Sequence, residues 1–278
     1  MLPNVKEFLR PETVQEAYRL LHEKRKSTVL LAGGTIVSQM QSLAIETIVD
    51  LRSTGLGKIV EKSGEIAAGA MVTAEQFRRD PVITKRYGEF FSENFGLIGN
   101  WQLRNMITLG GSVAPRLGWS DISTCLMTAG GSLLVFGTEE YQTLSIGDYF
   151  QISSTERPII THIILPEEDY YYAFERFAKS AFDIATLNVG IALKIRNNKI
   201  ASSRILCGSR PMFPSRMETV EESLLDLSFD DQTPGITRSL VYENFTGGSN
   251  MIASSEYRNH LASVLAERAV QKIGELVS

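Results

Sequence analysis

Apolar positions in this chain fall mostly in short runs closed by glycine, proline or asparagine, with sustained helical periodicity only toward the end. The runs Thr28–Leu31, Glu46–Leu51, Gly64–Gly69, Gly130–Phe136 and Ile159–Leu165 read as strands. Helical patterns stand between them. Pro11-Glu12-Thr13 opens one over Val14–His22, with Thr13 as its cap and Glu16 three residues later, as in a capping box. Thr73 caps a second through Phe77, Phe90–Leu97 is a mostly apolar third, and Asp121–Thr128 is a fourth. Residues 36–43 suit either a loop or a short helix, and Leu144 and Asp148–Phe150 suit a short segment after a turn. The opening therefore reads as a β-α-β-like unit, and 56–165 as an α+β unit with antiparallel hairpins.

The pattern changes after Pro166. Glu167-Glu168-Asp169 is an exposed acidic break. Strands follow at Tyr172–Phe177, Leu187–Ile195 and Lys199–Cys207, the last two joined by a hairpin turn at Asn197-Asn198. Tyr170-Tyr171-Tyr172 reads as a packed strand edge. From Ser215 the chain is helical and charged. Its clearest amphipathic helix is Tyr257–Val277, with Leu261, Val264, Leu265, Ala269 and Ile273 on one face. The break divides the chain into residues 1–168, with parts at about 1–55 and 56–168, and residues 169–278.

Composition narrows the function classes. The 278 residues are 43% hydrophobic and 22% charged, as expected of a globular protein, and the net charge of −4 gives no footprint for nucleic acid. No signal peptide or membrane-length apolar run is read, so a cytoplasmic protein is expected. Cys125 and Cys207 each sit in an apolar stretch without zinc or iron–sulfur spacing. They are expected to be buried thiols, and any iron–sulfur cluster in the system belongs to another chain. His22, His162 and His260 are dispersed, so no hydrolytic or metal site is expected and no catalytic residue is assigned. That scarcity fits chemistry carried by a cofactor.

Two double-glycine segments about 75 residues apart stand out, LLAGGT with Gly33 and Gly34, and TLGGSVA with Gly110 and Gly111. Glycine permits positive φ and close backbone approach, and consecutive amides in such turns cradle anions. Both are read as turns, a two-pronged grip on a long charged ligand such as a dinucleotide. Neither has the G-x-G-x-x-G spacing of the doubly wound fold, and no Gly-Lys-Ser/Thr follows. Asp121, ten residues after Gly111, suits a helix N-cap, favoured on spacing, or an acceptor for ribityl or ribose hydroxyls.

Together these segments resemble the FAD-binding medium subunit of the molybdenum hydroxylases, the family of carbon monoxide and xanthine dehydrogenase flavoproteins. The resemblance runs through FLRPETVQEAYRLL, LLAGGTIV, WQLRNMITLGGSVAPRLGWSDIS, ERPIITHIILP, FERFAKSAFDIATLNVGIAL and SSEYRNHLASVLAERAV. It implies an α+β fold: a two-part FAD-binding domain of vanillyl-alcohol-oxidase (PCMH) type, then a C-terminal small antiparallel sheet plus helices. It implies FAD as cofactor, with Leu30, Leu31, Ala32, Gly33, Gly34, Thr35, Ile36 and Val37 wrapping the pyrophosphate. Thr108, Leu109, Gly110, Gly111 and Ser112 would form the second loop, and Asp121 would meet the ribityl or ribose part. Ile98 and Ile160 fall where apolar residues approach the cofactor, Asp183 at an acidic position near the flavin edge, and Lys179 in the loop bordering the acceptor's approach. A molybdenum-cofactor large subunit, an iron–sulfur small subunit and NAD or another acceptor are the implied partners, with a purine such as xanthine as the preferred substrate. A free-standing FAD-dependent oxidoreductase is the competing reading. Two departures bear on the acceptor more than on FAD. Ile36 stands where the family usually has a polar or acidic residue, and Pro115–Trp119 replaces a run usually rich in small residues.

Overall fold

The computed structural model describes every residue except 1, 139, 154–157, 210–212 and 278, so Met1 and the Glu156-Arg157 of ERPIITHIILP lie outside the described residues. The fold is α+β. Its chain divides into two compact units that interleave in sequence. The first comprises Met1–Ile83, Asn100–Pro115 and Gly131–Leu165, and the second Thr84–Gly99, Arg116–Gly130 and Pro166–Ser278.

The first unit holds two sheets. Strands β1 (Glu7–Leu9), β2 (Thr28–Leu31) and β3 (Thr47–Asp50) form a parallel sheet in the order β1-β3-β2. The helix Val14–Glu23 connects β1 to β2 and buries Val14, Ala17 and Leu21. Thr13 caps it by accepting the Glu16 N–H at 3.1 Å, while the Glu16 carboxylate accepts from Glu12, one residue before the box position. Strands β4 (Ile59–Lys62), β5 (Glu65–Gly69), β6 (Ser132–Gly137), β7 (Glu140–Ser145) and β8 (Ile159–Leu165) form an antiparallel sheet in the order β4-β5-β8-β6-β7. Ile66, Ala68, Leu133, Val135, Ile163 and Leu165 form its buried face. Strand β4 escaped the sequence pattern because it is a short, largely exposed edge strand carrying Glu61 and Lys62.

The second unit is built on β9 (Tyr171–Phe177), β10 (Leu187–Arg196), β11 (Lys199–Gly208) and β12 (Ser215–Arg216), antiparallel in the order β12-β11-β10-β9. Asn197 (φ 49°) and Asn198 (φ 58°) make the expected hairpin turn, both in the left-handed region that a type I′ turn needs. On one side Val189, Ile191, Leu193 and Ile205 share a core with Leu265, Ala269 and Ile273 of the helix Ser255–Val277. Alternation along β10 turns Asn188 and Gly190 the other way, toward the helix Asp121–Thr128. A Cβ on Gly190 would overlap the Thr128 hydroxyl, so this glycine is required by close packing.

Candidate functional site

The first double glycine follows β2. Gly34 has φ 79°, which reverses the chain ahead of a single 3-10 turn at Val37–Gln39. The carbonyls of Gly34, Ile36 and Val37 accept from Ser38, Gln39 and Met40, and the Thr35 carbonyl accepts from the Gln39 side chain at 2.9 Å. The amides behave differently. Among the described residues, no acceptor pairs with the N–H groups of Gly33, Gly34, Thr35, Ile36 or Val37, and all five residues are only half-buried. Five consecutive amides on a partly covered loop, none spent on a protein acceptor, are donors available to an anion. This donor set fits the pyrophosphate of a dinucleotide.

The second double glycine lies in a helix, which corrects its reading as a turn. Leu109–Val113 is a short helix, and Thr108 caps it by accepting the Gly111 N–H at 3.1 Å. Its other first amides are also taken. Leu109 donates to the Val72 carbonyl, Gly110 to Ala70 and Ser112 to Thr108, at 2.9, 2.9 and 3.0 Å. Its amides are thus paired within the protein, and the segment also packs against the first. A Cβ on Gly33 would overlap the Met106 carbonyl oxygen and lie 3.4 Å from the Thr108 methyl. One on Gly111 would lie 2.7 Å from the Thr108 hydroxyl and 3.7 Å from the Ala32 methyl. The two segments, distant in sequence, are therefore pressed together. Three of the four glycines are fixed by contacts within the protein, and Gly34 by its backbone conformation.

Behind the second segment lies a charge network the sequence reading missed. Glu75 is 4% exposed and accepts from Arg104 at 2.7 Å, with Arg78 and Arg79 also on its carboxylate. Burial raises the Glu75 pKa, but the Arg104 hydrogen bond and the charges of Arg78, Arg104 and Arg79 outweigh it and hold the carboxyl below its ordinary value. Ala74 N–H donates to the Ile107 carbonyl at 2.8 Å, so the 70–75 segment grips 104–110 by backbone and side chain together. Ile160 is buried on β8 opposite Val135.

The remaining expected positions lie in the second unit and gather around Arg176. The cap of the helix Asp121–Thr128 is Ser120, whose hydroxyl accepts the Ser123 N–H at 3.2 Å, and Asp121 is the first helical residue. The N-cap expectation for Asp121 was off by one position. Its carboxylate is buried, with Oδ1 accepting from Asn188 at 2.7 Å and Oδ2 paired with Arg176 Nε at 3.0 Å. Burial holds this carboxyl above its ordinary value, and Arg176 and Asn188 offset that only in part. Arg176 also donates to the Asp183 carbonyl at 2.6 Å and the Leu97 carbonyl at 3.4 Å. One guanidinium thus ties Asp121, the turn before Ile98, and the loop holding Lys179 and Asp183, whose side chains are exposed. The available signal for Arg176 was a charged pair, Glu175-Arg176, inside an otherwise apolar and aromatic strand.

Residues 4–168 match the family described as the FAD binding domain in molybdopterin dehydrogenase, and residues 172–273 match the CO dehydrogenase flavoprotein C-terminal domain. The chain is 23% identical to the glyceraldehyde dehydrogenase medium chain of Sulfolobus acidocaldarius, over 98% of this chain and 100% of that one. It is 24% identical to the carbon monoxide dehydrogenase medium chain of Afipia carboxidovorans, over 98% of each. Among solved structures it is similar to CO dehydrogenase from Oligotropha carboxidovorans, with a TM-score of 0.89 and 25% identity over 99% of each chain. Quinoline 2-oxidoreductase from Pseudomonas putida 86 has the same fold, with a TM-score of 0.88 at 20% identity over 99% of this chain and 98% of that one.

Proposed function

Because this chain belongs to the family of FAD-binding domains of the molybdopterin dehydrogenases, we propose that it is the electron-relaying subunit of a multi-subunit molybdenum hydroxylase. It is a flavoprotein whose FAD-binding domain is of the two-part vanillyl-alcohol-oxidase (PCMH) type. FAD, when bound, supplies reversible redox chemistry, while the chain supplies binding and orientation. The amides of Gly33–Val37 hold the pyrophosphate, and the segment Thr108–Ser112 fixes the shape of that loop. Leu30, Leu31 and Ala32 lead the chain into it. Ile98, Asp121, Ile160, Lys179 and Asp183 are further proposed contacts, supported by the family resemblance. A division into a FAD-binding domain over 1–168 and a C-terminal domain over 169–278 belongs to the same proposal, supported by family matches that end at 168 and resume at 172.

The proposed partners are a molybdenum-cofactor large subunit and an iron–sulfur small subunit. This chain has only two cysteines, Cys125 and Cys207, both buried, where an iron–sulfur cluster typically needs four thiolates. The relatives are named for glyceraldehyde, carbon monoxide, nicotine and caffeine chemistry. A purine or related heterocycle is the substrate to test first, with NAD as the first acceptor. The observation that carries the proposal is the run of five unpaired amides at Gly33–Val37, braced by the second glycine segment. The test is anaerobic flavin absorbance. Alone, the FAD-loaded chain should stay oxidised with heterocyclic substrates, and its flavin band should bleach only after the molybdenum and iron–sulfur chains are added. Bleaching or turnover by the lone chain would instead identify a free-standing oxidoreductase.

A further inference from the structure

The second unit carries a groove of about 1050 Å³ that the cofactor reading leaves unused. It runs between the start of the helix Thr233–Asn244 and the later turns of Ser255–Val277. Phe229, Leu240 and Val270 give it an apolar floor. Its rim is acidic, with Asp230, Asp231, Glu243, Glu267 and Glu275, and no Lys, Arg or His lines it among the described residues. Two of these carboxylates are already engaged: Glu267 pairs with Arg238 at 2.9 Å, and Asp230 accepts from the Gln232 N–H at 2.9 Å. Asp231, Glu243 and Glu275 have no cationic partner among the described residues.

Two glycines in the groove make a second, independent point. Gly235 and Gly274 lie within helices, where glycine is the weakest former after proline. A Cβ on either would meet nothing within 4 Å. The fold therefore has no internal need for their missing side chains, in contrast to Gly33 or Gly190. Departures from local rules that serve no internal packing are expected where something else approaches. Open glycine surfaces, an apolar floor and a rim with three uncompensated carboxylates share one concavity. From Pro234 to Glu243 it follows helix for roughly 14 Å, matching two to three turns of a guest helix.

We propose that this groove docks a basic amphipathic helix of another polypeptide chain. Its apolar stripe would cover Phe229, Leu240 and Val270, with small gaps at Gly235 and Gly274 admitting its side chains, and its Lys or Arg residues would meet Asp231, Glu243 and Glu275. Charge spread along both rims suits a helix better than a small cation, and it repels an anionic lipid surface.

The test uses the full FAD-loaded chain and a fluorescent synthetic peptide with leucine at i, i+3, i+4 and i+7 and lysine elsewhere. Anisotropy should show saturable binding that weakens with salt, and a leucine/glutamate peptide should not bind. Gly274→Leu projects into open space, so it should keep or raise the melting temperature while weakening binding by about tenfold or more. Asp231→Lys with Glu275→Lys should weaken it similarly, and Glu65→Lys on β5 should leave it unchanged. Absence of binding, or equal binding by all these variants, would overturn the proposal.

Discussion

Gly33 and Gly34 are adjacent, but different physics fixes them. Gly33 has no room for a Cβ, because the Met106 carbonyl occupies that space. Gly34 has room but a φ of 79°. Gly33→Ala should therefore push the two glycine segments apart, costing about 1–3 kcal/mol and most of the FAD affinity. Gly34→Ala should cost roughly 1–2 kcal/mol from left-handed strain, with a smaller loss of affinity because the free amides stay in place. Denaturant melts and flavin titrations on both variants separate the two effects. A similar contrast holds at the start of the helix Asp121–Thr128. Ser120→Ala removes a cap and should cost about 1 kcal/mol. Asp121→Ala leaves the mostly buried Arg176 without its carboxylate and should cost on the order of 3–5 kcal/mol. Equal melting temperatures for these two variants would show that the ion pair adds nothing beyond the cap.

Secondary structure was legible where periodicity and capping agree. The capped helices at Thr13 and Thr73, the strands Thr28–Leu31 and Ile159–Leu165, and the Asn197-Asn198 hairpin all follow local rules. The helix Leu109–Val113 was not legible, because two of its five residues are glycine and local propensity opposes it. Its hydrogen bonds to Val72 and Ala70, and the Thr108 cap, hold it in place, and only the cap left a trace in the sequence. Glu75 and Arg104 were illegible for a similar reason, since nothing local pairs residues 29 apart. Their network has a pH signature. Because the folded pKa of Glu75 is depressed, its contribution is present above the ordinary glutamate value and is lost as pH falls through the folded value. Glu75→Gln should thus be markedly less stable than the parent at neutral pH, and the gap should close in acid. A gap independent of pH would mean that packing, not charge, holds the 104–110 segment.

At the scale of the whole molecule, the units that pack together are not the segments that follow one another. Residues 84–99 and 116–130 join the second unit, the former through contacts such as Arg176 with the Leu97 carbonyl, the latter through Asn188 with Asp121 and Thr128 against Gly190. The sequence revealed the FAD family through local motifs, but not that Arg176 collects Asp121 and the loops near Ile98 and Asp183, because that is a tertiary contact. The central claim is that the amides of Gly33–Val37 grip the cofactor while those of Leu109–Ser112 do not. Hydrogen–deuterium exchange with and without FAD tests it most directly. The account predicts strong new protection at Gly33–Val37 on FAD addition and little change at Leu109–Ser112, whose amides are already bonded. Protection gained at Leu109–Ser112 with none at Gly33–Val37 would contradict it.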